Sequence, residues 1–191
     1  MKFKNHYFLL RHGQTIYQKE EREILYKASE HFELELTEEG KKQIEAAAKI
    51  LKGKKIDAIF SSDFLRTRQT AGIVLKELGL EPVFDERLRD INMGDFHGRS
   101  FLEYKKYFKD KKERFKKRTP GGENWEDVIK RLKAVIKDIE KEHEDKNILI
   151  ISHGDPLWLL AGIIKGFKKE EDFLNIRDTN FYPSVGQLME I

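Results

Sequence analysis

Y-F-L-L-R-H-G-Q-T, residues Tyr7 to Thr15, decides how this chain is read. Tyr7, Phe8, Leu9 and Leu10 make an unbroken apolar run, the pattern of a short strand covered on both faces. The run stops at Arg11, His12 and Gly13, so a cation and an imidazole stand where a buried strand ends. In an open α/β sheet the carboxyl ends of the strands border the ligand crevice. Taken alone, the pair reads at least as well as a surface Arg-His pair, and the decision rests on what converges beside it.

Two further stretches converge. Asn147 to Ile151 is a second buried strand and ends in Ser152-His153-Gly154-Asp155-Pro156, with proline suited to the first turn of a helix reaching Ile164. Ile56 to Phe60 is another strand, ending at Ser61-Ser62-Asp63 ahead of a helix from Phe64 to Leu78, which puts Arg66 in a first turn at a strand end. Gly79 closes that helix, and Glu81 to Phe84 supplies one more short strand. Thr37 caps a helix whose stripe is Ile44, Ala47, Ala48 and Leu51, with Gly53 as its stop. Trp125, Val128, Ile129, Leu132, Val135, Ile136 and Ile139 repeat at helical spacing to about His143, and Phe181 to Ile191 reads as a final strand. This β-α alternation predicts an α/β fold, a three-layer α/β/α sandwich with a mostly parallel central sheet.

The 191 residues suit one domain, 1–191, with a lid-like helical insertion at about 98–122. With no cysteine, disulfides and thiolate chemistry are excluded. The opening M-K-F-K-N-H lacks an apolar signal core, and Leu157 to Ile164 is far too short to span a membrane, so a cytoplasmic protein with no membrane partner is expected. The net charge of +3 is uneven: Tyr104 to Arg118 holds nine of the 37 basic and two of the 34 acidic residues, leaving 28 basic and 32 acidic elsewhere. No nucleic-acid motif accompanies that run, so nucleic acid is not expected as a partner. Phe101, Tyr104, Phe108 and Phe115 fall near helical spacing, which predicts a solvated amphipathic helix with its aromatic stripe inward.

Arg11, His12, Arg66 and His153 at one sheet edge form an anion pocket. Their mutual repulsion favours a multiply charged anion, and the planar guanidinium groups match phosphate oxygens. At this point the sequence resembles the histidine phosphatase (phosphoglycerate mutase-like) superfamily. R-H-G-Q-T at Arg11 to Thr15 is similar to the family signature, and S-S-D-F-L-R-T-R-Q-T-A at Ser61 to Ala71 to the segment carrying its second arginine. L-R-D-I-N-M-G-D-F-H-G resembles the acid-bearing loop, P-G-G-E the turn before a long helix, and I-I-S-H-G the segment of the second histidine.

The resemblance implies a phosphomonoester phosphatase, active on a small phosphorylated metabolite, that needs no cofactor or metal. It implies His12 as nucleophile, with Arg11, Arg66, His153 and Gly154 around the phosphoryl group. It implies Asp90 as general acid, where relatives commonly carry a glutamate one methylene longer. Gln18 matches a position of phosphate-contacting amides, and His97 is open between lining the pocket and packing. Thr15 is expected to serve the loop and Ser152 to be a structural hydroxyl. His6, His31 and His143 are expected at the surface, and Asp63 and Asp155 as helix caps. The rim is expected from Gln18 to Leu36 and Tyr104 to Arg118, and the assembly is a monomer or homodimer. Rival readings are a cofactor-dependent phosphoglycerate mutase, a non-catalytic phosphate-binding module and a metallophosphatase on His12, His153 and Asp90. The short chain and the region after Gly98 favour the phosphatase over the mutase.

Overall fold

The computed structural model describes residues 3–177 and 181–191. One sheet contains β1 (His6–Arg11), β2 (Ala58–Ser61), β3 (Pro82–Phe84), β4 (Asn147–Ser152) and β5 (Leu188–Glu190), in the spatial order β3-β2-β4-β1-β5. The first four are parallel to their neighbours, and β5 runs antiparallel to β1. The helices are α1 (Ile16–Lys19), α2 (Glu38–Lys52), α3 (Leu65–Leu78), α4 (Phe101–Lys106), α5 (Trp125–Glu142), α6 (Gly154–Ile164) and α7 (Glu170–Ile176).

Strand periodicity splits the core in two. Tyr7, Leu9, Ile148 and Ile150 point to one face and pack with the apolar stripes of α5 and α6. Phe8, Leu10, Leu149 and Ile151 point to the other and pack with α2 and α3. Because successive side chains of a strand alternate faces, both halves of the Y-F-L-L run are buried, which is why it carries no polar residue. The expected three layers and mostly parallel sheet are observed.

Two expected elements differ. Tyr104 to Arg118 is not one helix: α4 stops at Lys106 and a separate 3-10 turn spans Lys112–Phe115. Between them the Glu113 carboxylate accepts from the Lys109 amide (2.8 Å) and the Asp110 carboxylate from the Glu113 amide (2.9 Å), local bonds that compete with helix. Tyr104, Phe108 and Phe115 are buried as the spacing requires, but Phe101 is exposed. The final strand contracts to Leu188–Glu190. Pro183 has no amide to give to a ladder, and Gly186 turns the chain at φ 70°.

Candidate active site

Strand register builds the site. Arg11 pairs with Ser152 across β1 and β4, and the His12 amide donates to the Ser152 carbonyl at 3.1 Å, so the two R-H-G and S-H-G ends lie side by side. The His12 and His153 rings are 5.3 Å apart, centroid to centroid. The chain leaves β2 at Ser61, the Ser62 amide donates to Ile151 O (3.0 Å), and Arg66 enters from the first turn of α3. His12, Arg66 and His153 are each fully buried. Gly13 belongs there because a Cβ would sit 2.4 Å from the Gly40 carbonyl oxygen at the start of α2.

Each of the four central residues presents nitrogen without a partner. His12 donates from Nδ1 to the Gly13 carbonyl (2.8 Å), which fixes the tautomer and leaves Nε2 with a lone pair and no contact. His153 holds the Ser62 hydroxyl at Nε2 (2.9 Å), and its Nδ1 is unpartnered. Arg11 donates from Nη1 to the Pro183 carbonyl (2.8 Å) and keeps Nε without a hydrogen bond, while Arg66 has no hydrogen bond at Nε or Nη2. Among the described residues seven buried side-chain nitrogens and oxygens lack a partner, and five of them belong to these four residues. A buried unsatisfied polar group costs about 1–3 kcal/mol, so such a concentration marks a site built for an oxygen-rich anion.

Electrostatics follow from burial and the arginines. Burial, then Arg66 and Arg11, hold the His12 imidazole well below the usual histidine range. His153 is lowered likewise by burial, Arg66 and the other two histidines nearby. Both rings are therefore neutral at pH 7. Asp90 reaches this group despite its short side chain, with Oδ2 3.6 Å from Arg66 Nη2 and 4.0 Å from His153 Nδ1. Burial raises its pKa against the opposing pull of Arg66.

His31 is a site residue, not the expected surface histidine. It stacks on Phe64 (4.2 Å, 8°) and its Nδ1 accepts from Arg66 Nη1 at 3.5 Å. Burial and Arg66 push its pKa down to about 3, so it is a neutral acceptor beside the guanidinium. Tyr26 covers the same guanidinium, 4.6 Å from ring centroid to Cζ. No spacing motif marks either residue, because both arrive on the irregular segment between β1 and α2. His6 is exposed as expected, whereas His143 is half-buried against the edge of Phe60.

Neither aspartate expected as a cap is one. Phe64 and His153 hold the N-cap positions of α3 and α6. Asp63 instead grips Arg89 through both oxygens (2.7 and 2.6 Å). Asp155 is a buried hub, accepting from Arg114 Nη2 (3.0 Å), Trp125 Nε1 (2.9 Å) and Arg177 Nη1 (2.9 Å), and these cations hold its carboxyl far below the usual range against burial. Gly154 lies under Tyr182, where a Cβ would come 2.2 Å from the hydroxyl oxygen. Ser152 donates to Leu88 O (2.6 Å), in keeping with a structural hydroxyl.

Arg11 and Asp90 also line a cavity of about 640 Å³ that opens between the segments around Tyr26 and Phe101. Gln18 is in its wall. Its Oε1 accepts from the Thr15 amide and hydroxyl, and its Nε2 donates to Tyr26 OH (2.6 Å), so the amide ties the loop together. His97 both lines the cavity and packs: Nδ1 donates to Tyr26 O (2.9 Å) and Nε2 accepts from the Met93 amide (3.2 Å).

Comparison with known proteins identifies the family and the fold. The family described as the histidine phosphatase superfamily, branch 1, matches residues 7–180. A Hydrogenobacter thermophilus protein named "Putative phosphoserine phosphatase 2" is 30% identical over 168 residues, 85% of this chain and 80% of that one. "Probable phosphoglycerate mutase GpmB" of Photorhabdus laumondii is 29% identical over 168 residues, 83% of this chain and 74% of that one. Among solved structures, a mycobacterial glucosyl-3-phosphoglycerate phosphatase superposes with a TM-score of 0.76 at 24% identity, covering 88% of this chain and 83% of that one, and at that identity it establishes the shared fold.

Proposed function

The chain belongs to the histidine phosphatase superfamily, branch 1, and from that premise we propose that it hydrolyses phosphomonoesters through a phosphohistidine on His12. The observation that carries the proposal is the set of five unpartnered nitrogens on Arg11, His12, Arg66 and His153, gathered at one strand edge. Four of them bind phosphoryl oxygens; the fifth, His12 Nε2, is the attacking atom.

In the first step the Nε2 lone pair forms a bond to phosphorus and the ester P–O bond breaks. Asp90 gives its proton to the leaving oxygen, a role open to it because burial favours its protonated form. The Gly13 carbonyl keeps the proton of Nδ1 in place as the ring gains charge. Arg11, Arg66 and His153 Nδ1 stabilise the charge on the transferring oxygens, a means suited to phosphoryl transfer. In the second step the Asp90 carboxylate takes a proton from water, the water oxygen bonds to phosphorus, and the P–N bond breaks to release inorganic phosphate. Binding and charge neutralisation come from side chains of this chain, so the proposed reaction is independent of metal.

Phosphate release from a metabolite panel, run beside 2-/3-phosphoglycerate interconversion, tests the reading. Hydrolysis that survives a chelator and exceeds interconversion supports it. Fast interconversion with negligible release would make the chain a mutase, and activity restored to a chelated sample by a divalent ion would make it a metallophosphatase.

A further inference from the structure

The cavity beside Arg11 and Asp90 is large, and its wall carries a cluster of apolar side chains. Tyr17, Ile24, Leu25, Met93, Phe101 and Leu102 face it. Ile24, Phe101 and Leu102 are also three of the seven large hydrophobic residues exposed among the described residues. Backbone bonds hold them together: Leu25 N donates to Arg99 O (2.9 Å), Phe101 N to Glu23 O (2.8 Å), and Ile24 bridges Ser100. Two irregular segments thus pair across the mouth and hold apolar side chains beside it. Clustered exposed apolar surface at a cavity beside reactive groups is surface meant to be covered by a ligand.

Most charged residues of the wall have partners, although Arg114 keeps Nε without a hydrogen bond. Arg114 and Arg177 both bind Asp155 (3.0 and 2.9 Å), Arg22 binds Glu20 (2.8 Å), and Lys105 lies over the Phe101 ring at 4.5 Å. Arg11, Arg22, Lys105, Arg114 and Arg177 stand against Glu21, Glu23, Asp90 and Asp155 in the same wall, so its charges nearly cancel and leave little net attraction for an anionic substrate body. The volume of about 640 Å³ falls within the range of about 300–1,000 Å³ for pockets that take drug-sized molecules.

We infer that the substrate's alcohol portion is a bulky, uncharged, apolar group lying between the Arg22–Tyr26 and Gly98–Leu102 segments. This deepens the phosphatase reading and rests on it. Such a substrate gains by covering Ile24, Phe101 and Leu102, whereas a small carboxylated ester leaves them wet.

The test is kcat/KM of the full chain on methyl, butyl and hexyl phosphate, primary alkyl esters with leaving groups of similar acidity, against 3-phosphoglycerate and phosphoserine. Efficiency is expected to rise about two- to fourfold for each added methylene, the increment of burying one CH₂. Hexyl phosphate should exceed both carboxylated esters by about tenfold or more, the discrimination an apolar pocket supplies. The double substitution Phe101→Ser, Leu102→Asp should lower the hexyl-to-methyl ratio, a readout that general loss of folding would not move. A flat series with preference for 3-phosphoglycerate or phosphoserine overturns the inference and makes Arg114 and Arg177 a clamp for a second anion. Activity on p-nitrophenyl phosphate, lost in His12→Ala, separates the two levels: absence of hydrolysis from every ester overturns the phosphatase reading itself, and a flat slope with His12-dependent hydrolysis overturns only the substrate class.

Discussion

Substituting Gly154→Ala perturbs the site without touching a charged group. The new Cβ would lie 2.2 Å from the Tyr182 hydroxyl oxygen and 2.6 Å from Cζ, and ordinary contact begins near 3.4 Å, so the hydroxyl has to retreat by about 1.2 Å. Overpacking of this kind costs about 1–3 kcal/mol. At about 2–4 °C per kcal/mol for a chain near this size, Tm falls by about 2–12 °C. The motion also reaches the proposed phosphate clamp, because Arg11 lies by the Tyr182 ring (5.8 Å) and donates to the carbonyl of the next residue, Pro183. A misplacement of about 1 Å can lower turnover by about 10²-fold. Thermal denaturation and kcat/KM on p-nitrophenyl phosphate would be measured for Gly154→Ala, Tyr182→Leu and the double variant. The clash should be largely relieved in the double variant, making the two substitutions strongly non-additive. Equal losses from Gly154→Ala with and without the tyrosine would show that contact with the Tyr182 hydroxyl is not the cause.

Asp90→Asn should reduce kcat/KM on alkyl phosphates by about 10²-fold or more, and by less than tenfold on p-nitrophenyl phosphate, whose leaving group departs without a proton. Burial raises the Asp90 pKa, so wild-type activity on alkyl esters should decline as pH rises through that raised value, and the variant's profile should lack this limb. The same sign governs stability: a carboxyl with a raised folded pKa contributes stability below its unfolded value and loses it as pH rises, so Asp90→Asn should become the more stable protein toward alkaline pH in denaturant titrations. Asp155→Asn leaves the half-buried Arg114 and Arg177 without their counter-charge and should destabilise by up to about 3–5 kcal/mol, the cost for a fully buried pair. Because the folded Asp155 pKa is depressed, the wild-type advantage should be full above the ordinary carboxylate range and shrink as pH falls below it, which parallel urea titrations at several pH values would read.

The sheet and its reactive edge were legible because local rules and tertiary structure agree there. A strand buried on both faces has to be apolar throughout, so Y-F-L-L and I-L-I-I announce themselves, and the residues that end them inherit a defined position. Arg66 was legible for the same reason, as the first turn after a strand. The walls were not. His31 and Tyr26 arrive on an irregular segment with no periodicity, and only the fold brings them against Arg66. Asp155 stands two residues after His153 and resembles a helix cap, but its partners Arg114 and Arg177 come from 41 residues before it and 22 after it. Three of the four rings spaced over 101–115 are buried as the spacing implies, yet the Asp110 and Glu113 side chains capture backbone amides and break the helix it predicts. No sequence signal marked Tyr182, whose place is set by the glycine it covers.

The proposed hydrolysis turns on one bond, from His12 Nε2 to phosphorus. Rapid quenching of the enzyme during turnover of a phosphorus-labelled ester, under alkaline conditions that preserve phosphoramidates, should trap up to one label per chain on a peptide containing His12. The trapped label should discharge to inorganic phosphate at a rate matching turnover, and His12→Ala should neither trap label nor turn over while remaining folded. Steady hydrolysis with no trapped phosphohistidine, or with label on another residue and full activity in His12→Ala, would exclude His12 as the phosphoryl acceptor.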